Sequence, residues 1–328
     1  NSPNWRDALC RVSRFAGRSR RSVTLQLAPR QAPESKWGIS ALLFPRLNVD
    51  DHDSYTRRVT ANIHPTAIVS PSANLGAGVT VAPFCVIEDN VRIGSNSHLA
   101  ARVHICSGVT MGADCRVHSG AVVGDSPQVT AGAPRHSSVI IGNRCIIREG
   151  VTIHRSMKEA QSTRIGDNCF LMVNSHVAHD CVLGNHVVLV NGALLAGHVT
   201  LDDNVIVSGN STIHQFCRLG KFSFLSGISG AVKDLPPFML ASGGRARIVG
   251  LNSVGLRRAG IPSERRLVLK RAYHILYKRG LNISQAVAEL EKMDSTPELK
   301  ELLEFIRASK RGITTASAAD DSDDESIE

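Results

Sequence analysis

Residues 174–198, NSHVAHDCVLGNHVVLVNGALLAGH, carry aliphatic side chains at Val177, Leu183, Leu189 and Leu195, six residues apart. The spacing continues in both directions. Upstream it passes through Ile63, Val69, Leu75, Val81, Ile87, Ile93, Leu99, Ile105, Met111, Val117 and Val123, then Ile141, Ile147, Ile153, Ile165 and Leu171. Downstream it passes through Leu201, Val207, Ile213, Leu219 and Leu225, and the phase survives the gaps after Val123 and Ile153. Small residues such as Ala67, Ala73, Cys85 and Ser97 stand fourth after the aliphatic one, and glycine often follows it directly, as at Gly76, Gly94, Gly166 and Gly184. A period of six is neither the 3.6 of an α-helix nor plain strand alternation. It predicts an all-β hexapeptide solenoid whose coils stack to bury one continuous core.

Three short faces per coil make eighteen residues a turn, with successive coils about 4.8 Å apart. On that count Asp180 stacks beneath His198, and His179 beneath Gly197. The breaks at 125–138 and 157–163 read as loops thrown out of the coil, where a rigid scaffold commonly presents binding residues.

Four segments are expected: a transit-peptide or disordered leader over 1–62, the solenoid over 63–250, a helical domain over 251–313 and a disordered acidic tail over 314–328. The chain of 328 residues carries a net charge of +9, unevenly placed. Residues 1–62 hold eleven Lys/Arg against five Asp/Glu, and the last sixteen hold six acids and no base. An Arg- and Ser-rich, acid-poor leader has the composition of an organelle transit peptide, mitochondrial before plastid, set against the plainer reading of a disordered basic arm. No apolar run is long enough to span a membrane, and no nucleic-acid partner is expected. Among the eight cysteines, Cys85, Cys115, Cys145, Cys169, Cys181 and Cys217 fall at the small position and are expected to be reduced core residues. No CxxC pair is present.

Pro236 and Pro237 end the regular repeats. Ser263 is expected to cap a helix running to Gly280, with a second over 281–293. Ser295 with Glu298 forms a capping box for a third helix ending near Gly312, with Pro297 in its first turn. Such a bundle would cover an otherwise exposed solenoid end.

Thirteen histidines include three, His176, His179 and His198, that occupy neither the aliphatic nor the small position. The core did not select them, and they gather within about one and a half coils. A neutral imidazole beside a carboxylate is a general base near neutral pH. Three imidazoles from adjacent coils would instead hold zinc and leave one position open for water. Spacing leaves both chemistries standing.

The set NSHVAHDC (174–181), LLAGHVTLDD (194–203), IHQFC (213–217), SGAVKD (229–234), LPPF (235–238) and GLNSVGLRRAG (250–260) resembles the UDP-N-acetylglucosamine O-acyltransferases, which open lipid A synthesis. With its basic leader the chain looks like an organelle member of that family. The likeness runs from about Ile63 to Gly312 and implies a left-handed parallel β-helix, a homotrimer with sites between subunits, and neither metal nor cofactor. It implies that His179 is the general base for the glucosamine 3-hydroxyl, that Asp180 orients it, and that the Gly197 N–H receives the oxyanion as an (R)-3-hydroxyacyl group leaves acyl carrier protein. By the same resemblance His176, His198, His214, Gln215, Gln128, Asn252 and Arg258 bind UDP-N-acetylglucosamine or the phosphopantetheine arm. Gly227 would limit the acyl pocket, and a glycine there implies a long chain.

Between Arg257 and Arg279 stand eight Lys/Arg and one acid. Arg257, Arg265, Arg266, Lys270 and Arg271 are the expected patch for the acidic acyl carrier protein, against the plainer reading of a solvated helix face. Two departures from the family pattern touch substrate affinity: Val129 and Ala131 follow Gln128 where an acid and a lysine are usual, and Ala259 replaces an arginine. The competing readings are an N-acyltransferase acting on acylated glucosamine, a γ-class carbonic anhydrase-like zinc hydro-lyase, and an idle scaffold. Residues 1–62 are too short and too basic for the uridine-binding domain of the first, and the second requires three convergent histidines.

Overall fold

A computed structural model describes residues 60–130, 134 and 136–316, all within one compact unit, Thr56–Glu328. The transit-peptide reading of the leader and the acidic run after Ala316 lie outside the described residues, but the tail expected from 314 starts later, because buried Thr314 donates its N–H to the Asp234 carbonyl and Ala316 pairs with Ile248.

Strands of two to five residues, from Asn62–Ile63 to Arg247–Leu251, assemble into sheets of 11, 9 and 8 strands, here the first, second and third. The chain visits them in turn, so neighbours in each sheet come from successive coils. The result is a left-handed parallel β-helix of about ten turns. Strand partners are eighteen residues apart wherever the repeat is unbroken, as in His176↔Leu194. The separation grows to thirty across the first break (Val122↔Thr152) and to twenty-four across the second (Thr152↔His176). Both breaks are therefore excursions that leave the coil and rejoin it in phase. Each departs from the corner where the second sheet passes to the third.

At most corners the third residue after the aliphatic one takes a left-handed conformation, including Asn90, Asn96, Asn168, Asn174, Asn204 and Asn210, with Gly78, Gly108 and Gly192 elsewhere in the series. Asparagine suits the place because its short side chain tolerates positive φ better than most. Asp180 (φ 60°) and His198 (φ 61°) also occupy it, so the corner geometry itself aims these two side chains.

The aliphatic positions from Val81 to Leu225 are buried and merge with the helical domain into one core. The first coil is an open end, with Ile63 42% and Ile68 69% exposed. All seven described cysteines are free and buried. Those at the small position donate S–H to the coil above, for example Cys145 to the Gly166 carbonyl at 3.1 Å, as Ser97 Oγ does to Gly112 at 3.1 Å. A small weak donor serves there, which explains why cysteine and serine interchange.

The solenoid ends in an antiparallel pair, Met239–Ser242 with Arg247–Leu251. Four helices follow: α1 (Ser253–Arg258), α2 (Ser263–Tyr277), α3 (Ile283–Leu290) and α4 (Pro297–Ala308). The short α1 is additional to the three expected. Ser263 does not cap α2, because its hydroxyl turns to Glu264 and Pro262 holds the cap position. Thr296, not Ser295, caps α4 through the Leu299 N–H, with Pro297 in the first turn as expected. The capping box belongs to α3, between Asn282 and Gln285. Buried Asp234 fastens this domain to the last coils, its carboxylate accepting from Arg218 N–H at 2.9 Å and from Ser309 Oγ at 2.7 Å.

Candidate active site

His179 and Asp180 sit side by side at the corner following the second-sheet strand His176–Val177. Imidazole Nδ1 lies 2.8 Å from Asp180 Oδ2, an arrangement that places the ring proton on Nδ1 and leaves Nε2 with its lone pair. The second excursion arches over the carboxylate. Ser156 Oγ donates to Asp180 Oδ1, Met157 N–H donates to Oδ2 at 3.0 Å, and Thr163 Oγ1 accepts from the Asp180 N–H at 2.9 Å. Burial alone would raise the Asp180 pKa. The hydrogen bonds from Ser156, His179 and Met157, together with the nearby His198, outweigh it and hold the carboxyl below its ordinary range. Asp180 is thus a fixed anion beside the histidine. The sequence signal for Ser156 and Thr163 was only the break in period, which located the loop and not its residues.

One coil up, Gly197 lies directly over the ring. A Cβ there would stand 2.5 Å from His179 Cε1 and 2.6 Å from Nε2, so only glycine leaves the imidazole its place, and Nε2 faces the Gly197 backbone. No acceptor takes the Gly197 N–H among the described residues. His198 stacks on Phe216, with ring centroids 4.5 Å apart, and meets His179 edge-on at 5.1 Å. Its Nε2 is 3.8 Å from Asp180 Oδ2. Burial, partly offset by Asp180, lowers the His198 pKa. His176 projects from the outer face of the second sheet, accepts or donates to Thr152 Oγ1 at 2.7 Å, and packs edge-on against buried His154 at 4.8 Å. Burial first, then the neighbouring His154 and His179, push its pKa down to about 4. His154 was not singled out from the sequence; its nearest cue is its place one residue after Ile153.

The three imidazoles therefore do not share one ligand sphere. The donor atoms that converge, within 4.8 Å, are those of His179, Asp180 and His198, and the carboxylate among them is already engaged by Ser156 and Met157. Two histidines with a committed carboxylate are not the His₃ sphere of a zinc hydro-lyase.

The remaining residues are spread over three corners of the coil and the helical domain. His214 and Gln215 are exposed at the same corner, one coil above Gly197, where Arg311 Nη2 approaches His214 Nδ1 at 3.3 Å. Gln128 is exposed in the first excursion, beside Val129; Ala131 lies outside the described residues. Gly227 stands on a different corner, between the first and second sheets, and a Cβ there would meet nothing closer than Gly209 O at 3.4 Å. Buried Asn252 is on the third corner. It caps α1 through the Gly255 N–H and donates to Phe222 O at 2.8 Å, so its amide already has structural partners. Arg258 is exposed at the end of α1. In the basic patch, Arg257, Lys270 and Arg271 are exposed and make no ion pair among the described residues. Arg265 instead forms a two-pronged pair with buried Glu298, and Arg266 Nε donates to Ile261 O at 3.0 Å.

Residues 90–125 and 162–197 match the bacterial transferase hexapeptide repeat, and 234–314 match the second domain of UDP-N-acetylglucosamine O-acyltransferase. A protein of Thermodesulfovibrio yellowstonii named acyl-[acyl-carrier-protein]--UDP-N-acetylglucosamine O-acyltransferase is 43% identical over 253 residues, covering 76% of this chain and 98% of its own. The protein of that name from Janthinobacterium is 41% identical over 257 residues, again covering 76% and 98%. Among solved structures, the UDP-N-acetylglucosamine acyltransferase of Francisella novicida superposes with a TM-score of 0.75 at 35% identity, covering 78% of this chain and 95% of its own. That of Arabidopsis superposes with a TM-score of 0.65 at 32% identity, covering 77% and 99%. The chain belongs to the acyl-[acyl-carrier-protein]--UDP-N-acetylglucosamine O-acyltransferase family.

Proposed function

We propose that the protein transfers an (R)-3-hydroxyacyl group from acyl carrier protein to the 3-hydroxyl of UDP-N-acetylglucosamine, the first step of lipid A synthesis, with His179 as general base. The observation that carries this reading is the His179 ring, held through Nδ1 by an ionised Asp180, with Nε2 open beneath the Gly197 backbone. Nε2 takes the proton of the sugar hydroxyl as its oxygen attacks the thioester carbonyl. The resulting oxyanion receives the Gly197 N–H, a contact worth about 3–4 kcal/mol in comparable sites. Collapse breaks the carbon–sulfur bond, and the imidazolium returns its proton to the departing thiolate. His198, His214 and Gln215 on the corner of His179, His176 on the adjoining sheet face and Gln128 in the first excursion are assigned to the sugar nucleotide and the phosphopantetheine arm.

Gly227, Asn252 and Arg258 support a homotrimer. They lie on other corners of the chain than His179, so a site that uses Asn252 and Arg258 at the nucleotide takes them from a neighbouring copy. Exposed apolar residues, Leu194 and Phe216 near His179 and Ile228 on the corner that carries Gly227, are suited to cover by an acyl chain and a second subunit. Lys270, Arg271 and Arg257 are the docking cations for acyl carrier protein. The eleven bases of residues 1–62 support import into an organelle, mitochondrion before plastid, a reading that a fluorescent fusion of that segment tests by its location.

The direct test incubates the protein with (R)-3-hydroxyacyl carrier proteins of several lengths and UDP-N-acetylglucosamine. The expected result is a 3-O-acylated sugar nucleotide, with longer chains preferred. Absence of transfer with every donor refutes the reading.

A further inference from the structure

Three coils below His179, at the same corner and so about 14 Å away, is a second cluster that acyl transfer does not use. Glu88 and Cys106 occupy equivalent places on successive coils, each just after a core aliphatic, and His104 projects outward from the strand His104–Ile105. His104 Nε2 is 2.7 Å from Glu88 Oε1 and 3.9 Å from Cys106 Sγ, and the three donor atoms all lie within 4.8 Å of one another. Cys106 is the one described cysteine outside the small core position, yet it is only 6% exposed. It sits at the back of the cluster, while the Glu88 and His104 side chains, 39% and 40% exposed, form its mouth.

Two arrangements of cysteine, histidine and glutamate are chemically distinct. A nucleophilic relay needs thiol and carboxylate on opposite nitrogens of the imidazole, as Asp180 and the open Nε2 are at His179. Here thiol and carboxylate both address Nε2, which rules out a relay and is what a common electrophile placed among three donors requires. Zinc holds His nitrogen at about 2.0–2.1 Å, carboxylate oxygen at about 2.0–2.2 Å and thiolate at about 2.3 Å in a tetrahedron. From 2.7 and 3.9 Å, the His104–Glu88 and His104–Cys106 donor separations change by less than about 1 Å to meet those distances. An outer shell is already built: the Ser107 N–H (3.0 Å) and Oγ (2.9 Å) both donate to Glu88 Oε2, leaving Oε1 to turn inward. Above the thiol stands Gly124, with φ +93°, where a Cβ would lie 3.3 Å from that of Cys106 and 2.4 Å from Val109 Cγ2.

We propose that Glu88, His104 and Cys106 bind one borderline-soft divalent cation of the zinc class, with the fourth position open to water. Binding exchanges the thiol proton for the metal: Cys106 S–H plus M²⁺ gives the metal thiolate, and the proton goes to solvent.

The test uses the full chain and Co²⁺ as a spectroscopic probe, followed by displacement with Zn²⁺. One equivalent of Co²⁺ should produce tetrahedral d–d bands together with a thiolate charge-transfer band that zinc abolishes. Cys106→Ser should remove the charge-transfer band, and His104→Ala and Glu88→Gln should each weaken binding more than Ser107→Ala, whose loss of an outer-shell donor is expected to cost about 10-fold to 100-fold. His179→Ala should leave the spectrum and the stoichiometry unchanged, which separates this site from the His179–Asp180–His198 group and from the acyltransferase reading. Circular dichroism of each variant checks that it is folded. The proposal is overturned if folded wild type gives no thiolate band, or if binding survives Cys106→Ser and disappears in His179→Ala.

Discussion

Gly197→Ala isolates the catalytic geometry from the fold. The glycine does not use the left-handed region, so alanine adds no backbone strain there, and the N–H that meets the oxyanion is kept. The new Cβ would stand 2.5 Å from His179 Cε1 and 2.6 Å from Nε2, where an ordinary carbon contact is about 3.5–4.0 Å. The ring must retreat by about 1 Å. Asp180 does not follow, because Ser156 and the Met157 N–H hold it, so the 2.8 Å bond to Nδ1 stretches beyond hydrogen-bonding range. A base displaced by about 1 Å costs about 10²-fold, or about 2.7 kcal/mol of barrier. Steady-state acyl transfer at saturating donor should show that loss in kcat, with the melting temperature within about 2 °C of wild type. Gly244→Ala, whose Cβ meets nothing within 4 Å, is the control. Activity of Gly197→Ala within about threefold of wild type, an effect worth under about 1 kcal/mol, would refute the placement of the ring.

Acidification should destabilise the fold through His176. Its folded pKa, about 4 through burial and its histidine neighbours, lies below the ordinary 6.5, so its stabilisation is complete above about 6.5 and is lost as the pH falls towards 4. The full effect is about 3 kcal/mol, with His154 and His198 acting in the same direction; urea unfolding at pH 7.5 and 4.5 should show a smaller difference in His176→Asn, and an equal one would contradict the assignment. Arg265→Ala leaves Glu298 buried without its partner and should cost about 2–3 kcal/mol, less than a fully buried pair because the arginine is 40% exposed; unchanged denaturant midpoints would count against this. Lys270→Glu with Arg271→Glu should raise KM for acyl carrier protein at constant kcat and stability, and an unchanged KM removes the docking patch. Gly227→Met should fold normally and shift preference towards shorter acyl chains, since the backbone there does not demand glycine.

The solenoid is legible because every coil repeats one demand, an aliphatic residue inward at every sixth place, from Val81 to Leu225. The stacking of His179 under Gly197 and of Asp180 under His198 is legible for a related reason, since residues eighteen apart touch; their roles are legible through the family resemblance, and the space that Gly197 leaves for the ring is seen in the structure. The excursions interrupt that periodicity, and nothing in the spacing reveals that Ser156, Met157 and Thr163 fold back onto Asp180. Helix ends failed on one-residue competition, Thr296 against Ser295 and Pro262 against Ser263, which backbone direction decides. Arg265 looked like its basic neighbours along the chain and differs because the turn before α4 brings Glu298 to it.

Acyl transfer by His179→Ala, with wild type alongside, both with and without a metal chelator, reads the role of the imidazole directly. Removal of a general base predicts a loss of about 10² to 10⁴ in rate, with the fold intact and wild-type turnover indifferent to the chelator. A His179→Ala protein that is folded and transfers the acyl group at the wild-type rate would remove His179 as the base.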